Sequence, residues 1–177
     1  MGGYWPHGPK HNFSEAGAYI VTAGIHQKQH ILNTPEKRTR FCRLLFRLAE
    51  KCNWELHAWA VMSNHYHFVA ISPQDASGLK TFINHLHRTS AVGLNKLDGT
   101  KGRRVWHQYW ESFISFEKSY YARLNYVQQN PAHHGICDNA ETYEWCSASW
   151  FRQNTTAATF NTVANFKIDK VNVHDDF

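Results

Sequence analysis

At 177 residues, with 42% hydrophobic and 15% aromatic content, the chain is long enough for one packed domain and too apolar for a disordered one. Its formal net charge of +5 suits an anionic partner without naming one, because solubility alone accounts for such a value. Four cysteines, Cys42, Cys52, Cys137 and Cys146, show no C-x-x-C spacing, which argues against a zinc knuckle or a redox dithiol and fits reduced thiols. The start MGGYWPHGPKHNF lacks the basic-then-apolar layout of a signal peptide, and no apolar run is long enough for a bilayer, so a soluble, cytoplasmic protein with no membrane partner is expected.

Residues 18–22 form a β-type run rich in aromatic and branched side chains. Thr34 and Pro35 read as the N-cap and first position of a helix, in which Phe41, Leu44, Leu45 and Leu48 repeat at helical spacing. Lys37, Arg38, Arg40, Arg43 and Arg47 fill its other side and read as a solvated basic face. Residues 54–62 and 65–71 are two strand candidates separated by Ser63 and Asn64, which predicts a hairpin. After a loop over residues 73–78, a helix is predicted from Leu79 to Asn95, then a Gly/Lys/Arg loop over 98–104. Residues 110–116 read as a further strand. Ser119 is the expected cap of a last helix that runs towards Asn130 and is ended by Pro131 and Gly135. Past Trp150 the composition turns to Asn, Thr and Ala, so residues 1–150 are expected to form the domain and 151–177 a polar extension or mobile tail. The order strand, helix, strand, strand, helix, strand, helix predicts an α+β, ferredoxin-like split β-α-β fold with an antiparallel sheet.

His65 and His67 alternate with Tyr66 on a strand, so both imidazoles project from one face and can share an ion. With 13 histidines in the chain, an H-x-H pair is by itself weak, and His85 with His87 is such a pair pointed apart on a helix. Tyr126 and Asn130 sit one helical turn apart, placing a phenolic nucleophile beside an amide oxygen. Spacing alone favours the blander reading, a core tyrosine beside a helix-capping asparagine.

Residues 56–68 (LHAWAVMSNHYHF) closely resemble the HUH signature of single-tyrosine transposases, especially the REP-associated branch. Residues 125–136 (NYVQQNPAHHGI) resemble that family's second signature, a helix bearing the nucleophilic tyrosine and ending in Asn-Pro-x-x-x-Gly. Residues 104–114 (RVWHQYWESFI) resemble the segment leading into its last strand, and together the likeness runs from about Ala18 to Trp150. The resemblance implies that His65 and His67 hold a divalent metal, magnesium or manganese, with Asn130 as third ligand and Tyr126 as nucleophile. It further implies cleavage and rejoining of single-stranded or hairpin DNA through a 5′-phosphotyrosine bond, by a monomer or a homodimer. Tyr66 departs from the family's usual aliphatic residue; strand alternation turns it away from the metal, and its hydroxyl needs a partner on the opposite face. Tyr120 and Tyr121 lack the one-turn relation to Asn130 and are poor nucleophile candidates.

Lys80 and Arg88 on the second helix and Lys101, Arg103 and Arg104 in the following loop are the candidate DNA contacts. Trp106, Tyr109 and Trp110 are candidates for base stacking, and Tyr4, Trp5 and His7 offer a further contact. The competing reading is a non-cleaving, domesticated DNA-binding module of the same fold, and a third is a small metallohydrolase in which Tyr126 only packs.

Overall fold

The structure is a computed structural model that describes residues 16–168 together with Val171, Val173 and Asp175. The segment around Tyr4, Trp5 and His7 lies outside the described residues. Four strands, β1 (Ala18–Ile25), β2 (Glu55–Val61), β3 (His65–Ile71) and β4 (Trp106–Ile114), pair antiparallel in the order β2-β3-β1-β4. Helices α1 (Pro35–Lys51) and α2 (Leu79–Leu97) complete the split β-α-β unit, and α3 (Glu117–His133), α4 (Ala148–Asn154) and α5 (Ala157–Ala164) follow β4. The ferredoxin-like order is therefore present, with additional helices after it. No helix among the described residues is long and apolar enough to cross a membrane.

The sheet is covered on both faces, and strand alternation divides the core in two. Tyr19, Val21, Ala23, Tyr66, Phe68 and Ala70 pack with Phe41, Leu45 and Leu48 of α1 and Phe82, Ile83 and Leu86 of α2. Ile20 and Val69 instead meet Leu124, Tyr126 and Val127 of α3, with Phe151 and Val163 from α4 and α5. A strand buried on both faces has no polar side to show, which is why β3 is buried at every position from His65 to Ala70. Tyr66 is fully buried on the α1/α2 face, and its hydroxyl lies 2.9 Å from His87 Nε2. The His87 ring stacks on Trp106 at 4.6 Å between centroids.

Several local expectations hold and others are corrected. Thr34 caps α1 by accepting from the Lys37 amide, with Pro35 in the first turn. The last strand begins at Trp106 rather than Trp110, because its ladder with β1 runs on to the pair Ile25 and Trp106. Helix α3 starts at Glu117, so Ser119 is inside the helix and accepts from Arg123 instead of capping it. Nor does Pro131 end α3: the helix runs on to His133 and closes at Gly135, whose φ of 65° allows the Ile136 amide to reach the Pro131 carbonyl at 2.9 Å and the Gly135 amide to reach Ala132 at 3.0 Å. Residues 151–168, in the stretch expected as a polar extension or mobile tail, carry the end of α4 and all of α5. Phe151 and Val163 anchor them in the core, and Asn125 Nδ2 donates to the Phe166 carbonyl at 2.8 Å.

Burial pushes the His87 imidazole down from 6.5 to about 3, so it stays neutral in the fold. The unfolded chain takes up that proton near pH 6.5, so it binds more protons than the native chain between 6.5 and about 3, and stability falls as pH falls through this window. Urea denaturation at neutral pH and about pH 5 should show wild type losing up to about 1.4 kcal/mol per pH unit more than His87→Gln. Parallel pH profiles for the two proteins would contradict this assignment.

Candidate active site

The turn between β2 and β3 is held rigidly, and it sets where β3 begins. The Met62 amide donates to the His65 carbonyl at 2.9 Å, while the Asn64 and Ser63 carbonyls accept from Ile25 and Leu32 at 2.8 and 2.9 Å. From this start, alternation sends His65 and His67 to the α3 face and Tyr66 to the other. Thr22, paired with His67 across the ladder, shares the α3 face.

Each imidazole is oriented through its Nδ1. His65 Nδ1 lies 2.7 Å from Asn64 Oδ1, and His67 Nδ1 lies 2.7 Å from Thr22 Oγ1. An amide oxygen only accepts, so His65 carries its proton on Nδ1 and turns a bare Nε2 into the pocket. Burial, reinforced by His67, lowers the His65 pKa to about 3, which keeps it neutral.

Helix α3 supplies the opposite wall. Tyr126, Asn130 and the helix-capping His134 follow one another a turn apart along its C-terminal end. The sixth participant is Asp175, whose carboxylate sits among all of them. Tyr126 Oη donates to its Oδ2, and Asn130 Nδ2 donates to the same atom at 3.1 Å. Asp175 Oδ1 lies 3.2 Å from His67 Nε2, 3.2 Å from His134 Nε2 and 3.5 Å from His65 Nε2. Burial would raise the Asp175 pKa, but hydrogen bonding and charge from His67, with the Tyr126 hydroxyl, hold it well below the usual carboxylate range. Burial and then the Asp175 carboxylate push the Tyr126 phenol well above its ordinary value.

The donor set fits a divalent cation. The bare His65 Nε2 faces two further electron-rich atoms, Asn130 Oδ1 at 3.4 Å and Asp175 Oδ1 at 3.5 Å, an arrangement that a cation among them would relieve. His65, His134 and Asp175 present ligand atoms that all lie within 4.8 Å of one another.

The structure thus brings His65, His67, Tyr126 and Asn130 into one pocket. It adds His134 and Asp175, which sequence reasoning missed. His134 continues the one-turn spacing of Tyr126 and Asn130, a signal hidden by ending the helix at Pro131. Asp175 lies in the segment read as a tail, and no spacing marks it. Tyr120 and Tyr121 stay out of the pocket, bonded to His57 and to Glu117.

The proposed DNA contacts are scattered. Lys80 and Arg88 are exposed on α2, which packs on the sheet face opposite the pocket, and Lys101 is exposed in the loop before β4. Arg103 is tied to Asp98 at 2.7 Å and to Asn95 at 2.9 Å, and Arg104 donates to the carbonyls of Trp106 and His107 at 3.2 and 3.1 Å. Trp106 and Tyr109 are core residues rather than free stacking platforms, because β4 turns them onto the α1/α2 face; Trp110 is half-buried. A groove of about 330 Å³ between α1 and α2 is lined by Lys37, Arg40, Arg43 and Arg47, of which Lys37 pairs with Asp98 at 2.6 Å and Arg40 with Glu36 at 2.8 Å.

A family model described as "Transposase IS200 like" matches residues 16–130, and the chain belongs to this transposase family. The fold is similar to a solved structure described as the REP-associated tyrosine transposase bound to a REP hairpin, with a TM-score of 0.64 and 19% identity, covering 100% of this chain and 95% of that one. A putative transposase from Deinococcus radiodurans R1 is matched at a TM-score of 0.47 and 17% identity, over 69% of this chain and 96% of that one. No curated protein sequence matches the chain.

Removing the carboxylate should ease ionisation of the phenol. NMR titration of ring-labelled tyrosine should show Tyr126 ionising at lower pH in Asp175→Ala than in wild type, while remaining above an ordinary tyrosine because burial persists. An unchanged titration would assign the whole shift to burial.

Proposed function

We propose that this chain is a metal-dependent transposase that cuts and rejoins single-stranded DNA through a covalent 5′-phosphotyrosine bond on Tyr126. The observation that carries this reading is the convergence of His65, His67, Tyr126 and Asn130 on one half-buried anion, the Asp175 carboxylate. A carboxylate offers two oxygens much as a phosphodiester offers its non-bridging pair, so Asp175 stands in for the scissile phosphate. It must leave when the phosphate enters.

His65, His67 and Asn130 are the proposed ligands of a divalent ion, magnesium or manganese, which supplies Lewis-acid polarisation of the phosphate when bound. Asn64 and Thr22 keep both imidazoles aimed, so little reorganisation accompanies the reaction. The β3 strand and the α3 helix hold Tyr126 against the reacting group, which converts an encounter into an attack in a fixed geometry. The bond from the Tyr126 oxygen to phosphorus forms as the bond from phosphorus to the 3′ oxygen breaks. The phenolic proton is released and the departing 3′ oxygen takes one up. A second 3′ hydroxyl reverses the step and joins strands.

Family membership, and the hairpin named for the similar structure, support single-stranded or hairpin DNA as the partner. Lys80, Arg88, Lys101, Arg103 and Arg104 are the proposed backbone contacts. The catalytic unit is residues 1–150, joined at its pocket by Asp175 of the 151–177 extension, and it works in the cytoplasm as a monomer or homodimer.

The decisive test incubates the chain with labelled hairpin DNA drawn from native genomic repeats, with manganese or magnesium, and resolves the products on a denaturing gel. A protein-linked DNA band is expected that vanishes with chelator and in Tyr126→Phe, and that strengthens in Asp175→Ala. An unaltered yield in Tyr126→Phe would sink the nucleophile assignment, and DNA binding with metal bound but no adduct in any variant would establish the non-cleaving module instead. For the backbone contacts, Lys101→Ala should weaken binding across all sequences and lower the salt slope by about one.

A further inference from the structure

Resting on the metal reading above, we propose that His134 is an additional ligand of the centre, making it a three-imidazole site that prefers first-row transition ions to magnesium. Three observations carry this. The first is position: His134 caps α3 one turn beyond Asn130, on the stripe that already presents Tyr126 and Asn130 to the pocket. The second is distance. His134 Nε2 lies 3.2 Å from both oxygens of Asp175, and its ring meets the His65 ring edge-on at 4.9 Å between centroids. Among the described residues, His65, His134 and Asp175 are the one trio of histidine, cysteine or acidic side chains whose ligand atoms gather within 4.8 Å.

The third is the field at the helix end. The pocket lies at the C-terminal end of α3, where the aligned backbone dipoles carry partial negative charge and favour a cation. His134 keeps 27% of its side-chain surface exposed, so an arriving ion can reach it.

The donor count decides the chemistry. Magnesium holds to oxygen ligands and water, so three imidazoles leave it poorly served. Manganese, cobalt, nickel and zinc accept imidazole readily, with affinity rising along that series to nickel. Asn130 would add an oxygen donor to the three nitrogens. A histidine that instead protonated the departing 3′ oxygen would also sit here, but it would leave the ion's affinity and ligand field untouched.

The test uses the full chain and Co²⁺, whose visible absorption reports ligand type and geometry, with Mg²⁺ as competitor. Wild type, His65→Ala, His134→Ala and His134→Gln are compared, each checked for folding by circular dichroism. His65→Ala identifies the site's own signal among the chain's other histidines. In both His134 variants the Co²⁺ affinity should fall at least about tenfold and the band should shift, because loss of even an outer partner of a ligand costs about 10–100-fold. Mg²⁺ affinity should change far less, so the preference for Co²⁺ shrinks. Wild-type Co²⁺ binding in both His134 variants, with its loss in His65→Ala, would overturn the ligand role and leave the proposed function standing. Wild-type binding in His65→Ala as well would remove the metal centre altogether, and the proposed function with it. Long-range ¹H–¹⁵N NMR of the unaltered chain with Zn²⁺ needs no variant: the His134 Nε2 resonance should move with that of His65, and a stationary His134 would overturn the proposal.

Discussion

The alternation of side chains along β3 underlies both the core and the pocket. With helices on both faces of the sheet, the strand has one face for hydrocarbon and one for chemistry, and each residue is assigned by parity alone. A slip of one residue would turn His65 and His67 into the packing around Phe41 and Phe82 and push Tyr66 and Phe68 against α3. The backbone bonds of Met62, Ser63 and Asn64 prevent that slip, since they fix where the strand starts. The hydroxyl of Tyr66 and the ring of His87 meet the polar cost on the buried side, and Asn64 and Thr22 do so on the other.

The pocket is unusual in its electrical balance. Several imidazoles converge there, and burial keeps the His65 ring neutral, so it brings a lone pair rather than a charge. One carboxylate then sits among them, and the nearest donors to it are a phenol and an amide. Such a space accepts a cation and an anion together more readily than either alone, which is the demand set by a phosphodiester with its counterion.

The elements whose signals are local were legible in the sequence. Thr34 and Pro35 marked α1, the Ser63-Asn64 turn marked the β2-β3 hairpin, and the strand order followed from the succession of elements. The His65 and His67 pair was visible as spacing, but only its likeness to a family signature separated it from other pairs such as His85 and His87. What escaped depended on long-range packing. Pro131 reads as a helix stop, yet the last turn of α3 persists because Gly135 takes a left-handed conformation that closes it. The Asn- and Thr-rich stretch past Trp150 reads as solvent-exposed, and a few well-placed residues, Phe151 and Val163 among them, suffice to dock it. Trp106 and Tyr109 look like free aromatics until the ladder with β1 fixes which face they occupy.

The left-handed turn at Gly135 ties backbone handedness to the placement of His134 in the proposed site. A methyl group added there would touch nothing within 4 Å, so a substitution would disturb the protein only through its φ of 65°. That strain, roughly 1–2 kcal/mol for a residue with a side chain, would be relieved by unwinding the turn that carries His134. In a mutational scan scored on activity, a residue with no functional group would therefore rank beside the proposed metal ligands.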